Sequence, residues 1–387
     1  MTSPAAFSST SSVDQMPEQA RILQFPSPAP KAKSVGDALA LAQRYLSQSG
    51  EVGQPLEIDA VYRDLDVLLA ICGLLRERAI VNPASVFDES SRIFSWLTVH
   101  GRGLGYFDER DFFLGEAALL AGSASRLLGN RSETELWLDR ADASYRHTIN
   151  PTASLARVAY VRLSLRYDMG RYTDVLELLP SIGLTFEKLG MHSELGKCRF
   201  LEAMSLKELG RYAESASRFQ SMLTATEFQA DAGIRGMAMT NLGNLRSLEG
   251  DAQGALVAYK AAQPMLEAAR RHEMIADLKG MVAETLRTIG QTSASIDAYR
   301  ECVSDHIQLG MEARAAYVRV LLSEALLEAG RPREAEWELL AALPTINEQQ
   351  MVPEGFAAVV LLQESLRQRK TDPKALSDLR QYLQTAN

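Results

Sequence analysis

Cysteine is scarce in this 387-residue chain, which contains only Cys72, Cys198 and Cys302. The three are far apart and odd in number, so they fit neither a disulfide framework nor the paired spacing of a metal knuckle. We therefore expect three buried thiols and a reducing compartment.

Aromatic residues make up only 7% of the chain, and the runs of β-branched residues that strands prefer are few. Ala, Leu, Glu and Arg are abundant instead, and 46% of the residues are hydrophobic. This composition is typical of helical proteins and predicts an all-α fold.

A concentrated block of positive charge is also missing, since 41 basic and 49 acidic residues give a net charge of −8 without a Lys/Arg-rich stretch. Binding to a phosphate backbone needs such a concentration, so nucleic-acid binding is not expected. The N-terminus has no basic region followed by an apolar core, and no segment offers about 18 uninterrupted apolar residues. We expect a soluble, cytoplasmic protein that does not bind membranes.

Motifs for catalysis and metal binding are absent as well. The five histidines never stand at the four-residue spacing of helical metal ligands, and no Gly-x-Ser-x-Gly elbow occurs. Gly101, Gly103 and Gly105 in GRGLGYFDER lack the sequence context of a phosphate-binding loop, so we interpret them as a linker. We expect solvated or helix-capping histidines, no metal, no cofactor and no enzymatic activity.

The N-terminal part of the chain divides into a tail and a cap. Residues 1–33 are crowded with Ser, Pro and Ala and have too little apolar surface to offset chain entropy, which predicts a disordered tail. Within it, ILQF at 22–25 is either a docking peptide for a partner or a chance apolar cluster. Residues 34–111 have helical spacing of Leu, Val and Ile without a repeat, and Asn82-Pro83 marks a helix start. We interpret this segment as a helical N-terminal cap.

What the rest of the chain does contain is a repeat, visible in LGNLRSLEGDAQGALVAYKAA at 242–262 and in similar stretches around five other glycines. From the second of these glycines onward the spacing is a constant 40 residues, which is the signature of a solenoid. A glycine is expected there because the first helix of each hairpin must end in a left-handed conformation. Gly190 and Gly310 lie midway and predict the ends of second helices. The six turn glycines are Gly129, Gly170, Gly210, Gly250, Gly290 and Gly330.

Residue size around each turn glycine is patterned too. Positions seven residues before and five residues after it are mostly small, as close helix packing requires, and the position nine residues after it is always large. We expect all three positions in the hairpin interior. The set seven before is Gly122, Leu163, Ala203, Gly243, Ala283 and Ser323; five after, Thr134, Val175, Ser215, Ala255, Ser295 and Ala335; nine after, Leu138, Leu179, Phe219, Tyr259, Tyr299 and Leu339.

This small-small-large arrangement resembles the tetratricopeptide repeat (TPR) family, and NLGNLRSLEGDAQGALVAYKAA comes closest to its consensus. The resemblance covers residues 112–345, with 346–387 interpreted as C-terminal capping helices. The period exceeds the 34 residues usual in the family, and the extra length adds about 9 Å to each hairpin in total. Long repeats are similar to those of signalling adaptors and bacterial peptide-sensing regulators. The resemblance implies an α-α superhelix, a solenoid of helical hairpins.

The resemblance also implies a concave groove lined by the first helix of each hairpin. Groove-facing positions are expected about ten and six residues before each turn glycine and one helical turn beyond. These candidate partner-binding residues are Tyr160, Ser164, Tyr167, Leu201, Met204, Lys207, Thr240, Asn241, Asn244, Glu284, Arg287 and Glu324.

Asn244 is the leading candidate, because an asparagine offers both a donor and an acceptor to the backbone of an extended peptide. In peptide-binding TPR proteins an asparagine in the corresponding place does this, and Asn241 is one turn earlier. The alternative is that both amides belong to the consensus and face water. Four apolar candidates are likewise either exposed anchors or, if the helical phase is off by one residue, core residues: Tyr160, Tyr167, Leu201 and Met204.

The function expected from this arrangement is a non-catalytic scaffold or adaptor that binds a protein or peptide segment in its groove. The alternative is a regulator in which a peptide or metabolite tightens the superhelix and acts through a partner, in signalling or transcription control. The identity of the partner and the oligomeric state stay open at this point.

Overall fold

The computed structural model describes residues 35–48, 64–101, 107–229 and 231–368. Within these ranges the chain is a succession of sixteen α-helices with a short 3-10 helix at Thr226–Phe228 and no strand. The helices are α1 Val35–Gln48, α2 Leu65–Arg78, α3 Pro83–His100, α4 Phe107–Leu127, α5 Arg131–Tyr145, α6 Thr152–Asp168, α7 Tyr172–Lys188, α8 His192–Glu208, α9 Tyr212–Thr224, α10 Ala232–Leu248, α11 Ala252–Ala268, α12 His272–Thr288, α13 Thr292–Gln308, α14 Glu312–Glu328, α15 Pro332–Glu348 and α16 Val352–Gln368. The predicted tail with ILQF, Gly103 and Gly105 of the predicted linker, and the last part of the predicted C-terminal cap fall outside the described residues.

The chain divides into two compact units, residues 1–71 and 72–387. In the described part of the first unit, α1 is amphipathic and buries Ala38, Ala42 and Tyr45 at three- and four-residue spacing. The helical periodicity predicted for this stretch is confirmed.

In the second unit, α3 starts where the sequence predicts. The side chain of Asn82 accepts a hydrogen bond from the Ser85 backbone N–H at 3.1 Å, and Pro83 occupies the first helical position. Asparagine before the helix and proline at its first residue are both favoured, since neither leaves a backbone donor unsatisfied.

From α4 to α15 the second unit is a series of six helical hairpins, each turning at one of the predicted glycines. All six glycines have a left-handed backbone, with φ between 69° and 83°. In the Gly250 turn the Asp251 N–H bonds back to the Arg246 carbonyl at 2.8 Å, which closes the first helix. The predicted repeat and its turns are confirmed, and Gly190 and Gly310 end second helices with φ of 67° and 70°.

The interior of the hairpins follows the predicted size pattern. Every residue seven before, five after and nine after a turn glycine is buried. Gly243 shows why the first position is small, because a Cβ there would collide with the ring of Tyr259. The large residue of one helix thus occupies the space left by the small residue of the other.

Two turns between hairpins use residues that the sequence does not mark. Arg270 and Gln350 have a left-handed backbone, each with φ of 53°. They lie 40 residues before and after Gly310 and close the second helices of their hairpins in the same way. The periodicity of the fold is therefore stronger than the periodicity of glycine.

The three cysteines, Cys72, Cys198 and Cys302, are free thiols, and all are buried as expected. Burial raises the pKa of each thiol to about 12. These sulfurs are protonated side chains of the helix interfaces rather than reactive thiolates.

A candidate binding wall on the first helices

Consecutive first helices of the six hairpins contact one another, and we call the surface that they line the first-helix wall. These helices are α4, α6, α8, α10, α12 and α14. Polar contacts between consecutive first helices recur at fixed offsets. The residue three positions before one turn glycine bonds to the residue two positions before the next. These contacts form a ladder of Arg126–Asp168 at 2.5 Å, Tyr167–Glu208 at 3.4 Å and Arg287–Glu328 at 2.6 Å.

The ladder is interrupted in the middle of the wall. Lys207 has the donor position, but the acceptor position of the next hairpin is occupied by Leu248, and Lys207 pairs with its neighbour Glu208 at 3.1 Å instead. One hairpin further, Ser247 and Thr288 occupy the two positions, and neither offers a long charged side chain. The interruption coincides with the short second helix α9, which has 13 residues against 17 in α7 and α11.

Asn244 lies at the middle of the wall and is half-buried. Its Oδ1 atom accepts a hydrogen bond from the Tyr259 hydroxyl at 2.8 Å, and within the described residues its amide NH2 has no acceptor. Asn241 is buried, and its Nδ2 donates to the Met237 carbonyl of the same helix at 3.0 Å. Thr240 is buried as well and bonds to the Gly236 carbonyl. Of these three candidates, Asn244 presents a polar group that is not used within the fold.

The aromatic end of the wall lies on α6 and α8. Tyr160 is partly buried against the core, and its hydroxyl reaches the Lys197 carbonyl of the next first helix at 3.5 Å. Burial raises the pKa of Tyr160 to about 12. Tyr167 stacks edge-on with Tyr172, with ring centroids 5.1 Å apart. Met204 keeps part of its surface exposed at the same end.

Two of the candidates at this end turn inward. Leu201 belongs to the core, and the position ten residues before Gly210 is held by Phe200, whose ring packs edge-on against Phe219 at 5.5 Å. One residue along a helix is a rotation of 100°, which is enough to move a side chain from the wall to the core. Ser164 is also buried and bonds to the Tyr160 carbonyl.

The other end of the wall is charged. Arg287 forms two hydrogen bonds with Glu284, at 2.8 and 3.1 Å, and lies 3.6 Å from Glu324 on the next first helix. The Tyr299 hydroxyl donates to Glu284 at 2.5 Å, at the same offset as Tyr259 to Asn244. The Arg287 hydrogen bonds lower the pKa of Glu284, and the Tyr299 bond adds to the effect despite partial burial.

A second charged cluster, at the start of the wall, was not among the candidates. Glu116, on α4, is buried and accepts hydrogen bonds from Arg76 at 2.6 Å and from the Tyr145 hydroxyl at 2.6 Å, and Arg157 on α6 bonds both of its oxygens. Burial by itself would raise the pKa of Glu116, but Arg157 and Arg76 lower it to about 2.

The repeat register contains the signal that finds this cluster. Glu116, Arg157 and Lys197 each lie thirteen residues before a turn glycine, at equivalent places on three consecutive first helices. This row is one helical turn before the row at ten, so it belongs to the same helix face. The predicted groove positions, at about ten and six residues before each turn glycine and one turn beyond, do not include this row.

One expectation about histidine is wrong. His306 is buried rather than solvated: its Nε2 lies 3.0 Å from an Asp277 oxygen, and its Nδ1 lies 3.5 Å from the Cys302 sulfur. Asp277 is bonded by Arg314 as well, which with His306 lowers the pKa of the carboxyl against the opposing effect of burial. The hydrogen bonds compensate for burying the imidazole.

Neither a metal-binding cluster nor a membrane-spanning helix is found within the described ranges. No group of His, Cys, Asp or Glu side chains there is arranged to hold a metal ion. No described helix combines the length and the apolar character needed to cross a bilayer.

Comparison with known proteins identifies the fold. No protein-family model matches the chain, and no curated protein matches it. Among solved structures, a Rap protein complexed with competence and sporulation factor is similar with a TM-score of 0.54 and 12% identity, over 87% of this chain and 94% of that chain. The Rap conjugation gene regulator of plasmid pLS20, in complex with the Phr* peptide, gives 0.53 and 15%, over 87% and 95%.

A third similar structure is the STAND signal-transduction ATPase with a tetratricopeptide repeat sensor from Pyrococcus horikoshii. It gives a TM-score of 0.56 and 10% identity, over 92% of this chain and 53% of that chain. The fold is a TPR-like superhelix of helical hairpins. Identities of 10 to 15% show this fold and nothing finer.

Proposed function

We propose that the first-helix wall is a groove for a protein or peptide segment, and that the protein is a non-catalytic scaffold or adaptor. The observation that carries the proposal is the contrast between the hairpin interior, filled by small and apolar residues, and the wall, where Tyr, Met, Asn, Glu and Arg side chains keep part of their surface exposed. Stacked hairpins offer such a surface along their whole length.

We also propose that the chain belongs to the TPR family, in its long-repeat variety, because its fold is similar to that of TPR proteins. The array would span 112–345, between a helical cap at 34–111 and capping helices at 346–387, in a cytoplasmic protein that binds neither nucleic acid nor membrane. Two of the similar structures are described as complexes, one with competence and sporulation factor and one with the Phr* peptide, which supports a peptide ligand here.

Asn244 is the residue through which we propose that the groove holds a peptide backbone. Its carbonyl oxygen is engaged by Tyr259, so the amide NH2 is the group available to a ligand carbonyl. Tyr160, Tyr167 and Met204 would lie on the aromatic side of this contact, and Arg287 on the charged side. The ligand that fits is an extended segment with an apolar part and a charged part.

The test is the substitution Asn244→Asp, which removes the amide donor but keeps an oxygen for the Tyr259 hydroxyl. Glu284 accepts from Tyr299 at the same offset, so this variant reproduces a contact that the fold already contains. A pool of peptides is first enriched from a displayed random library by binding to the wild-type protein. We expect this pool to bind the variant at least about tenfold more weakly, because one hydrogen bond between neutral groups is lost and the new carboxylate repels the peptide carbonyl.

The matched control is Asn347→Asp, which makes the same change at an exposed position of the second helix α15. It should bind the enriched pool as the wild-type protein does. If Asn244→Asp binds the pool as tightly as the wild-type protein does, Asn244 does not contact the peptide. If no pool can be enriched, peptides are not the ligand class.

A ligand-switched regulator is the second candidate, and the interrupted ladder favours it. The hairpins at both ends of the array are joined by the polar contacts of the ladder. The middle region around Lys207, Ser247 and Leu248 lacks these ladder contacts among the described residues. A ligand that bridges the helices there would change the relative positions of the two halves of the array, because it adds a contact that only one arrangement satisfies.

Small-angle X-ray scattering with the enriched peptide separates the two candidates. A switch predicts a fall in the radius of gyration at saturating peptide, and the Asn244→Asp variant should show no change at the same concentration. A passive scaffold predicts an unchanged scattering curve although the peptide is bound.

A further inference from the structure

Arg157, on the first-helix wall, and Arg76, on α2 before the wall, share one buried carboxylate. The four hydrogen bonds that Glu116 accepts, from Arg76, Tyr145 and twice from Arg157, match the number of lone-pair sites on a carboxylate. Glu116 therefore has no capacity left for a further donor. Its role in this cluster is to fix the position of two guanidinium groups.

The two guanidinium groups retain donors of their own. Each has five N–H bonds in a planar fork, and within the described part of the chain neither Arg76 nor Arg157 bonds any acceptor other than Glu116. The side chain of Arg76 is 47% exposed and that of Arg157 22%, so solvent and solutes reach them. An arginine fixed in this way loses little side-chain entropy when it binds a planar or tetrahedral oxyanion.

Lys197 supplies a third positive charge from the next first helix. It lies at the same register as Arg157, and the Tyr160 hydroxyl, one turn beyond Arg157, reaches the Lys197 carbonyl. The side chain is exposed, and within the described residues its ammonium group has no ion-pair partner. Partial enclosure by the surrounding protein lowers the pKa of Lys197, and the nearby charges of Arg157 and Arg76 lower it further, while Glu194 opposes them.

The balance of charge in this region favours an anion. Arg76, Arg157 and Lys197 are near two carboxylates, Glu116 and Glu194, and Glu116 is already saturated. Arg271 adds a further positive charge near Lys197. Glu194 acts on both Arg157 and Lys197 but forms no ion pair with either among the described residues. A bound oxyanion would satisfy the remaining donors and the excess positive charge together.

We propose that Arg76 of α2, together with Arg157 and Lys197 of the first-helix wall, forms an oxyanion-binding site that is suited to a phosphate group. Glu116 is the positioning residue of this site. The phosphate is either free in solution or carried by a phosphorylated side chain of a ligand on the wall. Glu116 lies three hairpins before Asn244. Binding of an oxyanion at this site therefore does not require that a peptide be bound at Asn244.

The experiment measures the ³¹P line width of inorganic phosphate as the protein is added at constant ionic strength. We expect saturable broadening with the wild-type protein and an affinity at least about fivefold weaker with Lys197→Gln, since one of three cationic contacts is lost. Arg76→Gln, at the other exposed cation, should weaken binding to a similar extent. Lys260→Gln is the control, because it removes the same charge from an exposed position on a second helix.

Helical circular dichroism establishes that each variant is folded, and both Lys197 and Lys260 are exposed enough for this to be expected. Equal broadening by wild-type protein and Lys197→Gln, or no saturable broadening by the wild-type protein, would overturn the proposal.

N-acetyl-O-phosphoserine amide is the second probe. Tighter binding of that probe than of phosphate indicates a phosphorylated ligand, and equal or weaker binding indicates the free ion.

This outcome is independent of the peptide experiment. Lys197→Gln leaves Asn244 and Tyr259 unchanged, and Asn244→Asp leaves the three cations unchanged. Failure of the phosphate experiment with retained peptide enrichment would reject the oxyanion site alone, and the reverse result would reject the peptide groove alone.

Discussion

Ala255→Asp is expected to lower the free energy of unfolding by about 4 kcal/mol at pH 7. Ala255 is fully buried five residues after its turn glycine, in a core cluster with Tyr259, Ala262 and Leu266. A carboxylate there would lose its hydration without gaining a cation, and the larger side chain would also separate the two helices of the hairpin. Urea unfolding followed by circular dichroism measures the loss.

The pH dependence of that loss identifies its cause. Burial raises the pKa of an aspartate above its unfolded value of about 3.9, so the folded variant is favoured at low pH and is destabilised as pH rises through the raised pKa. The difference between variant and wild type should therefore shrink in acid. Ala341→Asp, at an exposed site in the middle of α15, is the control and should differ from wild type by about 0.5 kcal/mol or less at any pH. A pH-independent loss at Ala255 would mean that only the added volume matters.

The hairpin architecture was predictable because its determinants are local and repeated. A turn glycine needs a left-handed backbone, and a small residue opposite a large one needs close helix contact; both requirements recur at fixed offsets and reinforce one another. Gly243 and Tyr259 illustrate this, since each explains the size of the other. Arg270 and Gln350 escaped prediction because the hairpin context imposes a left-handed turn even where the residue disfavours it.

The wall was less predictable, for geometrical reasons. The face on which a side chain lies is set by the phase of its helix. Leu201 was predicted to face the groove but lies in the core, and its neighbour Phe200, ten residues before Gly210, is the residue that stays partly exposed. The Glu116 cluster depends on Arg157 from the next hairpin and on Arg76 from α2, 41 and 40 residues away along the chain, which only the packing of these helices brings together. Burial of His306 likewise depends on Asp277 from another helix, which no local pattern reveals.

Hairpin packing and wall chemistry also explain how the two ends of the array differ. At the Glu116 end, charge is held inside the fold and two arginines retain free donors, whereas at the Arg287 end one arginine is surrounded by Glu284, Glu324 and Glu328. An extended ligand bound as we propose would therefore meet excess positive charge at one end of the wall and excess negative charge at the other, which would give it one preferred direction.

Glu116→Gln is expected to lower the free energy of unfolding by about 3–5 kcal/mol at pH 7, the usual cost of removing one partner from a buried ion pair. The amide keeps the volume of the side chain but removes the charge that compensates Arg157 and Arg76. Its NH2 group also replaces one of two oxygens that each accept two hydrogen bonds, so it faces donors in either orientation. Urea unfolding again measures the loss. The matched control is Glu334→Gln, because Glu334 also pairs with two arginines, Arg331 and Arg300, but is 46% exposed.

The control should cost less than about 1 kcal/mol, as exposed ion pairs do. The difference from wild type narrows in acid for both variants, but at Ala255 the titrating carboxyl is in the variant, whereas at Glu116 it is in the wild-type protein. The folded-state pKa of Glu116, about 2, is below its ordinary value of 4.5, so its contribution is fully present above pH 4.5 and is lost as pH falls towards 2. The difference between wild type and Glu116→Gln should accordingly be constant near neutrality and narrow in acid. A difference that stays constant down to pH 2 would show that the carboxylate charge does not stabilise this end of the array.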